Sequence, residues 1–272
     1  MRDAFKICQT KRLLHSSKTR FALICLAAFA CQISSSQSKP ASRSPFAFAS
    51  GEALSYGIEW RLIYAGSARL SFQEQKAPSQ WESKLHIESG GLVSRLYKLD
   101  DNYSVEMHDQ LCASTSQFDA VEGSRRRQTK VTFDRATQKA TYLERDVLKN
   151  SVVKTGETEI PPCVSDVIGG FYKLRTLNIQ PGQSTQLAVS DGMKSVSARV
   201  DALNKEEITT KAGKFNTIRY EAFVFNGVLF KKNARLEIWL TDDARKVPVQ
   251  LRARMPFPIG TITFQLEKEE RP

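Results

Sequence analysis

RLEIWLTDDARKVPVQLRAR, residues Arg235 to Arg254, decides the fold class of this chain. Leu236, Ile238 and Leu240 recur with period two, and after a short polar break Val247, Val249, Leu251 and Ala253 do the same. Successive side chains of a strand point to opposite faces, so each run sets one apolar face on a core and the other toward water. The break holds two adjacent aspartates, Asp242 and Asp243. Aspartate favours turns because its carboxylate accepts hydrogen bonds from nearby backbone N–H groups. The stretch therefore predicts an antiparallel hairpin with the aspartates at its corner, not a paired catalytic acid and base. Pro248 lies on the polar face of the second run, where an edge strand or a strand start tolerates its missing N–H. A metal site would need further carboxylates or histidines converging on the pair, and no local spacing supplies them.

The same period runs through most of the chain. Leu54, Tyr56, Ile58, Trp60, Leu62 and Tyr64 read as one strand, Ala65-Gly66 breaks it, and Ala68, Leu70 and Phe72 resume it, which predicts a hairpin. Leu85/Ile87, Tyr103/Val105/Met107, Thr129/Val131/Phe133, Val196/Ala198/Val200 and Ile262/Phe264/Leu266 continue the series. One segment has helical spacing instead. In CVSDVIGGFYKLR (Cys163 to Arg175), Val164, Val167, Ile168, Phe171 and Leu174 share one side, with Ser165 as the expected N-cap. Gly169 and Gly170 each disfavour a helix interior by about 1 kcal/mol. Close approach of the helix to a sheet would account for them. The expected architecture is mainly β: a large antiparallel curved sheet, open barrel or sandwich of about ten to twelve strands, with one short central helix at about 163–175.

Residues 1–20 carry Arg2, Lys6, Lys11, Arg12, Lys18 and Arg20 against one acid, Asp3, and FALICLAAFA (Phe21 to Ala30) follows without a charge. A basic region, a short apolar run and an A-x-A exit at Ala28-Phe29-Ala30 form a secretory signal peptide over 1–30. The run is shorter than the about 20 residues that a stable membrane span needs. The chain is thus expected to be exported, to the periplasm or in association with the outer envelope. Cys31 stands where a lipoprotein would carry its lipid, but Phe29 occupies a place where lipoprotein signals have a small residue, so soluble release is favoured over lipid attachment at Cys31. Residues 31–50, rich in Ser, Ala and Pro, read as a flexible linker, and 51–272 as a single β-rich domain. Without the leader the chain keeps a net charge of +6. Cys112 and Cys163 then remain in an oxidising compartment, where a disulfide and a pair of buried thiols are both open readings.

IWLTDDARKVPVQL (Ile238 to Leu251) resembles a motif near the C-terminus of DUF3108, a family of exported bacterial proteins of unknown function. YAGSARLSF (Tyr64 to Phe72) looks like the family's early hairpin and LYKLDDNYS (Leu96 to Ser104) like its middle motif. DVIGGFYKLR (Asp166 to Arg175) resembles its helix, with Gly169 and Gly170 where a Ser or Ala is expected. AGKFNTIRYE (Ala212 to Glu221) and GTITFQL (Gly260 to Leu266) look like its later strands. The motifs stand in the family's order over most of the chain after Gly51. The resemblance implies an envelope β protein and brings no catalytic residues with it.

Catalytic constellations are sparse. His86 and His108, the two histidines beyond the leader, fall on the polar faces of their strands, and no G-x-S-x-G accompanies them. With no G-x-x-x-x-G-K-[ST], H-E-x-x-H or C-x-x-C, no metal, nucleotide or other cofactor is expected. Asp100-Asp101 is a second carboxylate pair; held about 5–10 Å from Asp242-Asp243 it would permit glycoside hydrolysis. In SRRRQTK (Ser124 to Lys130), export and the lack of interleaved aromatics argue against nucleic acid. A solvated hairpin is the plain reading, and Arg125, Arg126, Arg127 and Lys130 are the candidate contacts to an anionic envelope surface.

Aromatic residues are the remaining resource. Tyr56, Trp60 and Tyr64 share a strand face, and Phe223 and Phe225 belong to a strand that is apolar on both sides. These five are the candidate ligand-binding residues for a lipid or other amphiphile in a concave sheet, against the plain reading as core. Three functions follow in order of preference: a non-enzymatic envelope protein that binds an apolar or amphiphilic ligand, a structural or protein-interaction module, and a carboxylate-dependent hydrolase of envelope glycans. An apolar cavity of about 300 Å³ or more would separate the first from the second. The third needs two inward carboxylates in one cleft.

Overall fold

The alternating segments pair into one antiparallel sheet of fourteen strands that does not close into a barrel. This computed structural model describes residues 46, 48, 51–223, 234–256, 258 and 260–271. The first eight strands are β1 (Glu52–Trp60), β2 (Ile63–Glu74), β3 (Gln80–Ser89), β4 (Leu99–His108), β5 (Cys112–Glu122), β6 (Arg125–Asp134), β7 (Lys139–Asp146) and β8 (Ser151–Glu159). A short helix, α1 (Gly91–Leu96), lies between β3 and β4, and α2 (Val167–Thr176) follows β8. The remaining strands are β9 (Ser184–Ser190), β10 (Ser195–Thr210), β11 (Gly213–Ala222), β12 (Arg235–Thr241), β13 (Pro248–Arg254) and β14 (Thr261–Glu270).

The order across the sheet is β8-β7-β6-β5-β4-β3-β2-β1-β14-β13-β12-β11-β10-β9. The first and last strands thus pair at its centre, Tyr56 opposite Leu266 and Ile58 opposite Phe264. From β1 the chain steps outward by hairpins to one edge, crosses through α2 to the other edge, and steps back. The crossover is stitched to both wings. Ala113 N–H donates to Val164 O at 2.8 Å, Ser165 N–H to Ala188 O at 3.0 Å, and Ser190 N–H to Ser165 O at 2.9 Å. A disulfide joins Cys112 at the start of β5 to Cys163.

α2 therefore lies on the concave face between the wings. Tyr172 packs into an aromatic core with Phe48, Phe72 and Trp81, while Leu174 joins Leu187, Val200, Tyr220 and Ile238 of the other wing. A Cβ on Gly169 would stand 2.7 Å from the Asp166 carboxylate and 3.2 Å from Met107 Sδ, and one on Gly170 would stand 3.1 Å from Val189 Cγ2. The glycines let the helix approach both wings. Gly169→Ala will destabilise the fold by about 1–2 kcal/mol, although alanine is the better helix former, because its methyl displaces the capping carboxylate. A raised melting temperature in that variant would show that the cap yields without cost.

Several expectations need correction. The helix begins at Val167, and residues 163–166 are not part of it, because they pair with β5 and β9. Its cap is Asp166, which accepts from Gly169 N at 2.7 Å and Ile168 N at 3.1 Å; Ser165 Oγ donates instead to Leu111 O. The long first strand breaks at Arg61-Leu62, both at positive φ (50° and 70°), so Tyr64 belongs to β2. β11 ends at Ala222, and its outward side chains Arg219 and Glu221 make ion pairs, so that strand is not apolar on both sides. Phe46 and Phe48, in the segment read as linker, stack at 5.2 Å, and Phe48 is fully buried against Phe72 and Tyr172. The packed structure reaches ahead of Gly51 because these rings fill the open end of the aromatic core. Residues 1–30, Cys31 and Phe225 lie outside the described residues. No described helix is long and apolar enough to cross a membrane.

Candidate functional site: an apolar groove under the central helix

Residues directly opposite in a sheet share a face, so the register defines the concave surface row by row. One row is Ile58–Phe264–Leu251–Ile238–Tyr220, and the next toward the β1–β2 turn is Trp60–Ile262–Ala253–Leu236–Ala222. α2 covers part of these rows with Val167, Ile168, Phe171 and Leu174. Between helix and sheet lies an apolar cavity of about 170 Å³. Its lining also includes Tyr56, Leu70, Leu85, Ile87, Gly170, Leu187, Val189 and Val200, so nine strands contribute. Leu85, Ile87, Val167, Phe171, Leu236 and Phe264 are only half-buried, which makes the space an open groove.

No charged side chain lines the groove. Tyr56 presents its ring, because its hydroxyl is spent on Pro248 O at 2.9 Å, and burial holds that hydroxyl protonated by raising its pKa. Polar groups fix the helix at its two ends. At the first end, Tyr103 donates to Asp166 Oδ2 at 2.6 Å; burial raises the pKa of both, the hydrogen bonds to Asp166 opposing the shift there. At the second end, the Arg175 guanidinium makes a two-pronged pair with Glu52, at 2.6 and 2.8 Å, with both side chains buried. Arg175 also donates to Lys246 O at 3.0 Å and Arg245 O at 3.2 Å, and it stacks 4.5 Å from the Phe48 ring. Burial acts to lower its pKa, but the Glu52 carboxylate outweighs that and raises it. This network had no counterpart in the sequence reading.

Of the five aromatic candidates, Tyr56 lines the groove and Trp60 sits one row toward the open end on the same face. Tyr64 is half exposed on β2 and packs beside Gly90 and Gly91. Phe223 lines a separate shallow depression with Val196 and Arg199. The two aspartate pairs do not converge. Asp100 lies 3.1 Å from His86 Nε2, and the buried Asp101 accepts from Val121 N, both at the start of β4. Asp242 and Asp243 are at the opposite end of the sheet, in the turn between β12 and β13. Asp242 pairs with Lys205 at 2.6 Å, and Asp243 accepts from Thr241 Oγ1, Arg245 N and Lys246 N. Burial works against ionisation of Asp243, but these donors hold its pKa below the usual value. The basic run is also divided. Arg127 faces inward and pairs with Asp146 at 3.1 Å, Lys130 is exposed at mid-strand, and only Arg125 and Arg126 reach the turn.

The model of DUF3108, described as a protein of unknown function, matches residues 55–267. The chain belongs to this family. No curated protein matches its sequence. Among solved structures, a β-barrel-like protein of the domain of unknown function DUF1849 from Brucella abortus is similar to it with a TM-score of 0.52 at 8% identity, over 81% of this chain and 97% of the other. That likeness is one of fold. Weaker similarities join this DUF3108 chain to a protein from Bacteroides fragilis described as exported with a YmcC-like fold (TM-score 0.35, 9% identity, 83% and 98% covered) and to one from Parabacteroides distasonis described as a lipoprotein (TM-score 0.32, 9% identity, 83% and 98% covered).

Proposed function

We propose that this DUF3108 protein is exported and binds an apolar or amphiphilic molecule, such as a lipid, holding one short hydrocarbon segment in the groove beneath α2. The observation that carries the reading is the lining: carbon side chains from nine strands and one helix surround an open space that contains no charge. Apolar surface left at an open concave site is the usual setting for such ligands. Export is supported by the basic and apolar N-terminal sequence, and every residue that lines the groove falls within the β-rich part of the chain after Gly51.

Size limits the ligand. The space of about 170 Å³ falls below the about 300 Å³ of an enclosed small-molecule pocket and is close to an engineered apolar cavity of about 150 Å³ that takes benzene. It suits a ring or a few methylenes, with the rest of the molecule lying along the Trp60–Ile262–Leu236 row. The small volume also favours a second reading, an interaction module whose groove is only loose packing.

Native mass spectrometry of protein purified from its own envelope separates the two. A co-purifying apolar molecule is expected; bare protein that also fails to take up a fluorescent naphthylamine probe rejects ligand binding. Ala222, buried in the lining, gives a sharper control. Ala222→Leu fills the groove, so probe affinity should fall about tenfold while the melting temperature holds or rises.

A further inference from the structure

Antiparallel order gathers alternate turns at one end of the sheet. The β1–β2, β3–β4, β5–β6 and β7–β8 connections share the end toward which Trp60 points, and β11 finishes there too. Every exposed large hydrophobic side chain among the described residues lies at this end. Leu62 is 91% exposed, Leu96 76%, Leu148 70% and Leu92 60%. Surface leucines scattered singly need no explanation, but their confinement to one rim does. The turns at the other end, such as QKAPS (Gln75 to Ser79) and RATQ (Arg135 to Gln138), are polar.

Charge is sorted in the same way. The rim segments 61–64, 90–98, 123–126 and 147–150 contain Arg61, Arg95, Lys98, Arg125, Arg126 and Lys149 and no acidic residue. None of these six cations makes an ion pair among the described residues; Arg61 donates to Pro258 O, and Arg126 to Gly123 O and Arg125 O, all backbone carbonyls. Several cations at the polar end are neutralised instead, with Arg135 at 2.8 Å from Asp109, Lys205 at 2.6 Å from Asp242 and Arg245 at 3.1 Å from Glu269.

We infer that this rim docks on an anionic lipid bilayer, the leucine-bearing turn tips entering the headgroup region while the six cations meet lipid phosphates. Exposed leucines, and cations without an ion pair among the described residues, recur in four turns that carry no acid, and they match the two attractions that hold proteins at such a surface. A protein partner of matching charge would satisfy the cations, but the leucines are spread over three separate segments, the β1–β2 turn, α1 and the β7–β8 turn, and not gathered in one buried centre, which a hydrocarbon boundary accommodates and a protein interface does not. The groove opens on the same rim through Leu236 and the Trp60 row, so a docked molecule faces its ligand's source. Docking itself does not depend on the groove being occupied.

Vesicle flotation with the full chain tests this. The protein should float with vesicles of phosphatidylethanolamine and phosphatidylglycerol, bind phosphatidylcholine vesicles less, and lose binding as salt rises. A Leu62→Ser/Leu96→Ser/Leu148→Ser variant should partition at least about tenfold more weakly. Arg95→Ala/Arg125→Ala/Lys149→Ala should lose about fivefold per cation, on the order of a hundredfold together, and with it the preference for anionic lipid. All six positions are on the surface, and unchanged melting temperatures confirm intact folds. Ala222→Leu should float like the parent chain, so failure of the groove reading leaves this test standing. Absence of flotation overturns the proposal, as does equal flotation of all variants. A dimer that the leucine changes dissolve, without vesicle binding, assigns the rim to a second copy instead.

Discussion

Arg175→Met will cost the fold about 3–5 kcal/mol, because it leaves the Glu52 carboxylate buried without its partner. For a domain of this size that is a fall in Tm of roughly 6–20 °C. The loss is larger than that of one ion pair, since Arg175 also ties α2 to the β12–β13 turn through Lys246 O and Arg245 O and stacks on Phe48. The double variant Glu52→Leu/Arg175→Met should recover most of the loss, as an apolar pair of similar volume replaces the charges. If the single variant melts like the parent, water reaches Glu52 and the pair does not organise this end of the helix. If the double variant is no better than the single, the backbone contacts of Arg175 outweigh its carboxylate.

The position of Arg175 carried a signal. It falls four residues after Phe171 and seven after Ile168, on the apolar side of the helix, where a charge requires a partner. The partner was illegible, because Glu52 is 123 positions away and looks like the polar start of a strand. The same division runs through the molecule. Alternation identified β12 and β13 and the aspartate turn between them, since local chemistry sets all three. It overran the β1–β2 turn, because Arg61 and Leu62 adopt positive φ without the glycine or asparagine that marks such a turn. α1 is too short at six residues to show a period. The cap passed from Ser165 to Asp166 because pairing with β9 holds Ser165 extended.

The groove was legible only as a kind of surface. Tyr56 and Trp60 were readable as one face, but whether that face meets a helix, another sheet or a ligand depends on how far the sheet curls. Curvature is a property of all fourteen strands together. The clustering of exposed leucines was hidden for a related reason: Leu62, Leu96 and Leu148 are far apart in sequence and become neighbours at one rim only when the meander is known.

Removing the disulfide tests how the two wings are held in that curve. Cys112→Ala/Cys163→Ala will cost about 4 kcal/mol in the chain-entropy model, because the bond closes a loop with a sequence separation of 51. The expected fall in Tm is roughly 8–16 °C, and a reductant should bring the parent chain to the same value while leaving the variant unchanged. The bond also has a local task. Cys163 fixes the start of the segment in which Val164 accepts from β5 and Ser165 pairs with β9, the bridge from which α2 enters the concave face. The variant should therefore loosen α2 before it unfolds the sheet, seen as faster amide exchange at Gly169 and Gly170 than in β1 and β14. Uniform exchange across helix and sheet would mean that the Asp166 cap and the Arg175 pair hold α2 without help from the bond. An unchanged Tm on reduction would mean that the crossover is set by its backbone pairing alone.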